Sequence, residues 1–428
     1  MTDNALFIGI DLGTSGVRAC AIDQNEKLLH LCSTSLPSPV INNQSITQDP
    51  ALWWQATEQV LKQLFAQIDP SEVVAISVNG TSGSILLCDD NGRPVADALM
   101  YNDASCSEQA ELIKNIAPKT SGAQGNSSGL AKLLYLQKNH PKATRLLHQA
   151  DWVAGQLCGR FDVTDENNAL KTGYDPQSAK WPDWLQQLKV NTNLLPSVIA
   201  PGSVIGSLKP GLFSRYELNP NCLLVSGTTD SIAAFLATGA NKPGDAVTSL
   251  GSTLVLKVLS SQPVSNPELG IYSHKLGDYW LAGGASNSGG AVLKHYFSQQ
   301  QLDKLTPLVN PDKITGLNYY PLLQSGERFP INDPALQPRL EPKAKSDIEF
   351  FQAILEGISQ IEQDGYNKLQ QLGAPYPTQV ETAGGGSKNL NWNHIRQQLL
   401  GVPVHSAEFS EACYGSALLA KRGFKDSL

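Results

Sequence analysis

The run Ile10-Asp11-Leu12-Gly13-Thr14-Ser15-Gly16 ends an apolar stretch on an aspartate and follows it with two glycines and two hydroxyls. Such a turn makes an ordinary hairpin. It also lets backbone N–H groups approach an anion closely, with hydroxyl donors beside them. A second turn of this kind, Gly251-Ser252-Thr253, occurs later in the chain. Neither turn carries the lysine of a P-loop, so that mode of phosphate binding is excluded. A phosphate chain would then need a metal ion, and Mg²⁺ held partly through water by carboxylates fits, with Asp11 the natural candidate. Asp230, in Ser226–Ala240, stands at the start of an apolar helical pattern. It reads either as a first-turn acid worth roughly 0.3–1 kcal/mol to the helix or as a general base. As a base it would take a proton from a hydroxyl attacking phosphorus. Gly384-Gly385-Gly386 falls between a strand pattern and a helix pattern. It is a flexible loop or a place where a ligand meets the backbone. Lys388 and Asn389 would then face a nucleotide, and Trp392 a base.

These residues need elements to hold them. Alternating apolar residues predict strands over 7–12, 17–23 and 28–35, a three-strand meander turning at the first Gly/Thr/Ser loop. Asp49-Pro50 opens a helix over 51–67. A strand follows at 73–78 and another at 85–88, then helical stretches at 132–137 and 142–155 and a short helix at 181–190. Near Cys222 the pattern restarts: strand 223–226, helix 229–238, then strands 245–249 and 253–258 around the second turn. A strand at 279–282, a long helix at 347–372, a strand at 379–383 and helices at 390–400 and 410–421 complete the reading. No strict sequence repeat is present. The recurrence of a meander with the same turn chemistry predicts two similar halves that grip a phosphate chain from both sides.

The bulk properties agree with an enzyme of that kind. A chain of 428 residues exceeds one core and predicts two domains. Hydrophobic residues make up 41% and charged residues 17%, a globular balance. A net charge of −7 gives no electrostatic footprint for nucleic acid or a membrane surface. The seven cysteines are irregularly spaced and never form Cys-x-x-Cys, so neither a zinc site nor a disulfide framework is expected. The N-terminal MTDNALFIGID has no basic region ahead of its apolar run, which reads against a signal peptide. No run of about 18 apolar residues occurs. A cytoplasmic or equally reducing compartment is therefore expected.

The ordered set of motifs resembles the FGGY carbohydrate kinases of the actin/hexokinase/Hsp70 ATPase superfamily. Ile10-Asp11-Leu12-Gly13-Thr14-Ser15 is similar to the first phosphate motif, and Gly227-Thr228-Thr229-Asp230 to the segment bearing the catalytic base. Lys242-Pro243-Gly244-Asp245 with Ser249-Leu250-Gly251-Ser252-Thr253 resembles the second phosphate motif. Gly384-Gly385-Gly386-Ser387-Lys388-Asn389 resembles the adenosine motif. Gly326–Pro330 and Glu411–Leu418 resemble further family stretches. The resemblance implies an α/β fold of two ribonuclease-H-like domains with an interdomain cleft. It places an N-terminal domain at 1–237, a nucleotide domain at 238–409 and a last helix, 410–428, returning to the first domain.

The resemblance also implies transfer of the ATP γ-phosphate to a sugar or polyol hydroxyl, with the domains closing on the sugar. Asp230 would be the base, touching substrate and metal. Asp11 would assist the Mg²⁺ and meet the substrate. Gly13, Thr14, Ser15, Gly251, Ser252 and Thr253 would hold phosphates, and Gly385, Gly386, Asn389 and Trp392 the adenosine. Met100–Ser105 lacks the arginine-rich stretch of glycerol kinases, and Asn79–Gly83 lacks the histidine of the Gln-Met-His-Gly stretch usual in xylulose kinases. The Thr-Ser-Gly form resembles compact D-ribulose kinases. Ser82 and Asp103 are then the expected sugar contacts, with a turn residue and a loop cap as their plain alternatives. The segment Gly129–Tyr135 carries tyrosine where the family usually has tryptophan. The expected reaction is phosphorylation of D-ribulose, with a D-xylulose or polyol kinase as the alternative. A non-catalytic actin-like ATPase or sugar sensor is the reading from another class. The expected partner is a small sugar, with no nucleic acid or membrane, on a monomer or homodimer.

Overall fold

The computed structural model describes residues 4–428; Met1–Asp3, part of the stretch read for a leader, lie outside the described residues. The chain divides into two compact units, Met1–Ala237 with Glu411–Leu428, and Thr238–Ser410.

The first unit is built on a six-stranded sheet. Strands Leu6–Leu12, Gly16–Ile22 and Leu28–Ser35 run as an antiparallel meander. Val73–Gly80 joins Leu6–Leu12 in parallel, Leu223–Thr229 joins Val73–Gly80 in parallel, and Val204–Ser207 closes the edge antiparallel. All seven residues of Leu6–Leu12 are buried because both faces of the strand are covered. Ile8 and Ile10 point into the core with Trp53 and Val60 of helix Pro50–Phe65. That helix starts where Asp49 caps it, accepting from the Ala51 N–H at 2.8 Å. On the other face Phe7 meets Phe424 of the last helix, Ala412–Asp426, edge to face.

The second unit repeats the order. Strands Asp245–Leu250, Leu254–Ser260 and Tyr279–Ser286 form an antiparallel meander, and Gln379–Ala383 and Val404–Ser406 add in parallel beyond the first of them. The long helix Asp347–Gln371 packs its apolar stripe (Phe351, Ile354, Leu355, Ile358, Ile361) into that unit's core. In both units the Gly/Thr/Ser turn joins the first two strands of the meander. The match lies in topology, so no sequence repeat was needed to produce it.

A smaller five-stranded sheet takes two strands, Val40–Asn42 and Ser45–Gln48, from before the second parallel strand of the first unit and three from after it, and a separate apolar cluster fills the stretch between the second and third parallel strands. Here the helix expected over 142–155 is corrected. Arg145–His148 is a strand paired antiparallel with Ile85–Cys88, and the helix begins only at Gln149. Strand pairing overrides the local helical pattern, and a capping box of His148 and Asp151 sets the new start. The expected helix over 181–190 shrinks to Trp184–Gln187. All seven cysteines are unpaired, and no helix of the described residues is long and apolar enough to cross a membrane.

Candidate functional site

In the first unit the chemistry collects at the C-terminal edge of the parallel strands, where ligands sit in open α/β sheets. Gly80 ends the central strand and pairs with Leu12 on one side and Thr229 on the other. Asp11, in register with Asn79, directly precedes Leu12, and Asp230 directly follows Thr229, so the two aspartates belong to the chains on either side of the central strand's end. Both thus belong to one unit and interact electrostatically.

Asp11 is buried. Its Oδ1 has no hydrogen-bond partner, and its Oδ2 has only the Arg18 guanidinium at 3.5 Å. Burial, and then the Asp230 charge, push its pKa up from 3.8 to about 7, against a smaller opposing pull from Arg18. Two carboxylates in this relation are short of positive charge. Asp230 opens helix Asp230–Ala237 and accepts from the Ser231 N–H at 2.6 Å. Three close backbone approaches tie together that helix, the strand leading into it and the elements packed beside them. A β-carbon at Gly227 would stand 1.9 Å from the Val78 carbonyl oxygen, one at Gly415 1.8 Å from that of Ala233, and one at Gly9 1.8 Å from that of Cys413. Asn79 ties the same layer together, donating to the Ala412 carbonyl and to Ser416 Oγ.

The first turn has Thr14 half-buried and Ser15 exposed, with Gly13 N–H donating to the Gly16 carbonyl at 3.0 Å. Gly16 has a packing reason, since a β-carbon there would lie 2.7 Å from the Thr34 carbonyl oxygen. Ser82 Oγ is buried without a partner in the turn after Gly80. Asp103 is turned differently from its expected use as a sugar contact. It is 0% exposed, and its carboxylate accepts from the Ile46 N–H, the Ser105 N–H and the Ser105 hydroxyl. Its geometry is that of a loop cap.

The second unit holds a cavity of about 530 Å³ lined by Gly251, Ser252, Gly385, Gly386, Asn389 and Trp392. The sequence brings the second turn and the triple glycine to one place because their backbones almost touch. A β-carbon at Gly384 would be 2.8 Å from the Leu250 carbonyl oxygen, and Gly384 has φ +84°; one at Gly386 would be 2.6 Å from Leu250 Cβ. Gly290 and Ala291 donate to the carbonyls of Gly251 and Ser252, fastening the turn to the next helix. Gly385 alone of the three faces open space. Thr253 is not among the lining residues. Asn389 caps helix Leu390–Leu400 by accepting from the Trp392 N–H. Trp392, expected to lie against a base, lines this cavity. It is 2% exposed, and its indole N–H is spent on the Leu355 carbonyl and Ser359 Oγ, so it forms the pocket wall. Leu293, Leu302 and Phe351 supply the apolar lining that a flat base needs.

Sequence reasoning missed Lys132 and Gln149. Lys132 is 0% exposed, and its Nζ donates to the carbonyls of Gly83 at 2.8 Å and Met100 at 2.6 Å. It thereby pins the Ser82 turn to the loop that carries Asp103. A lysine inside the apolar run Gly129–Leu136 was the available signal. Gln149 gave none.

The family model described as the N-terminal domain of the FGGY family of carbohydrate kinases matches residues 6–237, and that of its C-terminal domain matches 246–423. A xylulose kinase of Escherichia coli (strain K12) is 26% identical over 427 residues, spanning 92% of this chain and 85% of its own. Among solved structures, xylulose kinase from Rhodospirillum rubrum superposes with TM-score 0.86 at 22% identity, covering 99% of this chain and 91% of its own. Gluconate kinase from Lactobacillus acidophilus does so with TM-score 0.85 at 18% identity, covering 99% and 90%. Likeness at these identities establishes the fold, and one fold serves both names.

Proposed function

The chain belongs to the FGGY family of carbohydrate kinases and is a sugar kinase; from that premise we propose that it transfers the γ-phosphate of ATP to a hydroxyl of a pentulose, with Asp230 as general base. The observation that carries this reading is the Asp11–Asp230 pair on the chains to either side of the end of strand Val73–Gly80, one member of which keeps a buried oxygen without a partner.

Asp230, held by close backbone approaches, accepts the proton from the C5 hydroxyl as that oxygen turns nucleophile. The Ser231 N–H fixes one carboxylate oxygen, which orients the group without a covalent role. The residues fit a hydrated cation. Asp11 Oδ1 lacks a donor, and no cluster of three or more His, Cys, Asp or Glu side chains stands together among the described residues. Mg²⁺ characteristically uses one or two carboxylates and keeps its waters. When bound, it would neutralise charge on the phosphates. Gly251, Ser252, Gly385, Gly386 and Asn389 would receive the nucleotide, with Trp392 as the wall behind it. The acceptor hydroxyl belongs to the first unit, beside Asp230 and Ser82.

D-ribulose is the first choice of sugar because Ser82, in Thr81-Ser82-Gly83, offers a hydroxyl where a xylulose-type site would carry histidine. D-xylulose is the second reading, favoured by the names of the relatives. The test is sugar-dependent ADP release with ATP and Mg²⁺ across D-ribulose, L-ribulose, D-xylulose, L-xylulose, glycerol and erythritol, beside Asp230→Ala. Turnover on one pentulose far above the sugar-free rate, lost in the variant, is expected. No stimulation by any sugar, or a variant equal to the parent, overturns the assignment.

A further inference from the structure

Gln149 stands against Gly80, the end of the strand between the chains that carry Asp11 and Asp230. A β-carbon at Gly80 would lie 3.2 Å from Gln149 Oε1 and 3.1 Å from the Ala150 nitrogen. The side chain is 0% exposed, and its orientation is fixed by chemistry. Oε1 lies 2.9 Å from the Thr81 backbone nitrogen, which can only donate, so that atom must be the oxygen. Oε1 is also 2.7 Å from Thr81 Oγ1, which is 2.6 Å from Ser84 Oγ, which accepts from the Tyr101 N–H at 2.9 Å. The donors run one way: Tyr101 N–H to Ser84, Ser84 to Thr81, Thr81 to Gln149. Flipping the amide would break the chain at its end.

The consequence falls on Nε2. It is buried, carries two N–H donors and has no acceptor. An unmet buried donor of this kind is destabilising, so native structures keep few of them without a reason. The helix that starts at Gln149 is itself immobilised. His148 Nδ1 lies 2.7 Å from Asp151 Oδ2 and His148 Nε2 3.0 Å from Thr172 Oγ1. The Gln149 N–H donates to the Ser84 carbonyl at 3.1 Å. The neighbourhood holds other polar atoms in the same condition. Ser82 Oγ, in the turn that Gln149 anchors, and Thr229 Oγ1, opposite Gly80, are also buried without partners.

We propose that Gln149 is a specificity-determining residue, its Nε2 donating to a hydroxyl or carbonyl oxygen of the ketose held beside Asp230. This rests on the kinase reading above. A preset donor discriminates strongly because a sugar whose oxygen points elsewhere leaves the donor unpaired. Thr81, Ser84 and Tyr101 act through Gln149 as positioning residues.

Two variants test it, Gln149→Glu and Gln149→Met. The glutamate keeps an acceptor for Thr81 and replaces the N–H₂ with an oxygen; the methionine removes both. KM for each sugar, KM for ATP and the melting temperature are measured on the full chain, with the pentulose panel run on the parent alongside. In both variants the sugar KM is expected to rise about tenfold or more while the ATP KM stays within about twofold. Preference among pentuloses differing at one hydroxyl should narrow. In Gln149→Glu the sugar KM should fall again, relative to the parent, as pH drops and the carboxyl regains an O–H donor. An unchanged sugar KM in both variants overturns the proposal. So does a joint loss of melting temperature and of both KM values, which would make Gln149 only a prop for the Thr81 turn. A parent that no sugar stimulates would instead refute the kinase reading itself.

Discussion

Gly415→Ala sets two magnitudes against each other. In an exposed helix interior the exchange is worth about 1 kcal/mol in favour of alanine. Here the new β-carbon would stand 1.8 Å from the Ala233 carbonyl oxygen and 2.6 Å from its carbon. Both obstacles are backbone, so no side chain can swing away. Reaching an ordinary contact requires helices Ala412–Asp426 and Asp230–Ala237 to part by over about 1 Å, and overpacking of this sort costs typically 1–3 kcal/mol. The clash outweighs the propensity gain. The helix that moves carries Asp230 at its first position, and a misplacement of about 1 Å costs on the order of 10²-fold in rate. The expected result is a lower melting temperature and a kcat down by about two orders of magnitude. The ATP KM should hold, since the lining of the nucleotide pocket belongs to the other unit. Gly211→Ala is the control, because a β-carbon there meets nothing within 4 Å. Sugar-dependent ADP release and thermal melts on both variants decide the matter. A Gly415→Ala protein with parental kcat and an equal or higher melting temperature would refute the reasoning.

Three further outcomes are expected. Arg396→Met strips the cationic partner from Glu362, which is fully buried and held by Arg396 Nε at 2.6 Å and a terminal nitrogen at 2.7 Å beside the Thr248 hydroxyl. The loss should be about 3–5 kcal/mol, and replacing both residues with apolar ones should restore much of it in denaturant melts. Gly386→Ala would put a β-carbon 2.6 Å from Leu250 Cβ and 2.9 Å from Trp392 Cζ3, so the ATP KM should rise about tenfold or more with the sugar KM unchanged. Lys132→Met tests a pH dependence: burial pushes the Lys132 pKa down from 10.5 to about 7, opposed by Asp103 and assisted by Lys171. Between those values the unfolded chain binds the extra proton, so this group's contribution to stability rises with pH and is lost as pH falls through about 7. The melting-temperature gap between parent and variant should therefore be wide at pH 9 and narrow at pH 6; a gap independent of pH would contradict the assignment.

What the sequence determined is local. Alternating apolar residues made the two meanders legible, and Asp49-Pro50 announced a helix start that the structure reproduces within a residue. The Gly/Thr/Ser turns and the position of Asp230 at a helix N-terminus were also readable, because turn chemistry and capping depend on a few adjacent residues. The stretch 142–155 misled because Ile85–Cys88, far back in the chain, claims Arg145–His148 as a strand. Asp103 looked like a sugar contact, and the fold spends its carboxylate on the Ile46 and Ser105 N–H groups and the Ser105 hydroxyl.

Only the tertiary structure decided the rest. That Gly9 and Gly415 must be glycine follows from a helix at one end of the chain lying on a strand at the other and against the helix that carries Asp230. That Gln149 has a donor to spare follows from the Thr81 N–H and hydroxyl consuming its oxygen. Neither fact has a trace in the residues nearby. Close approach and unmet hydrogen-bonding capacity are properties of pairs of atoms, and folding brings those atoms together from segments that share no local pattern.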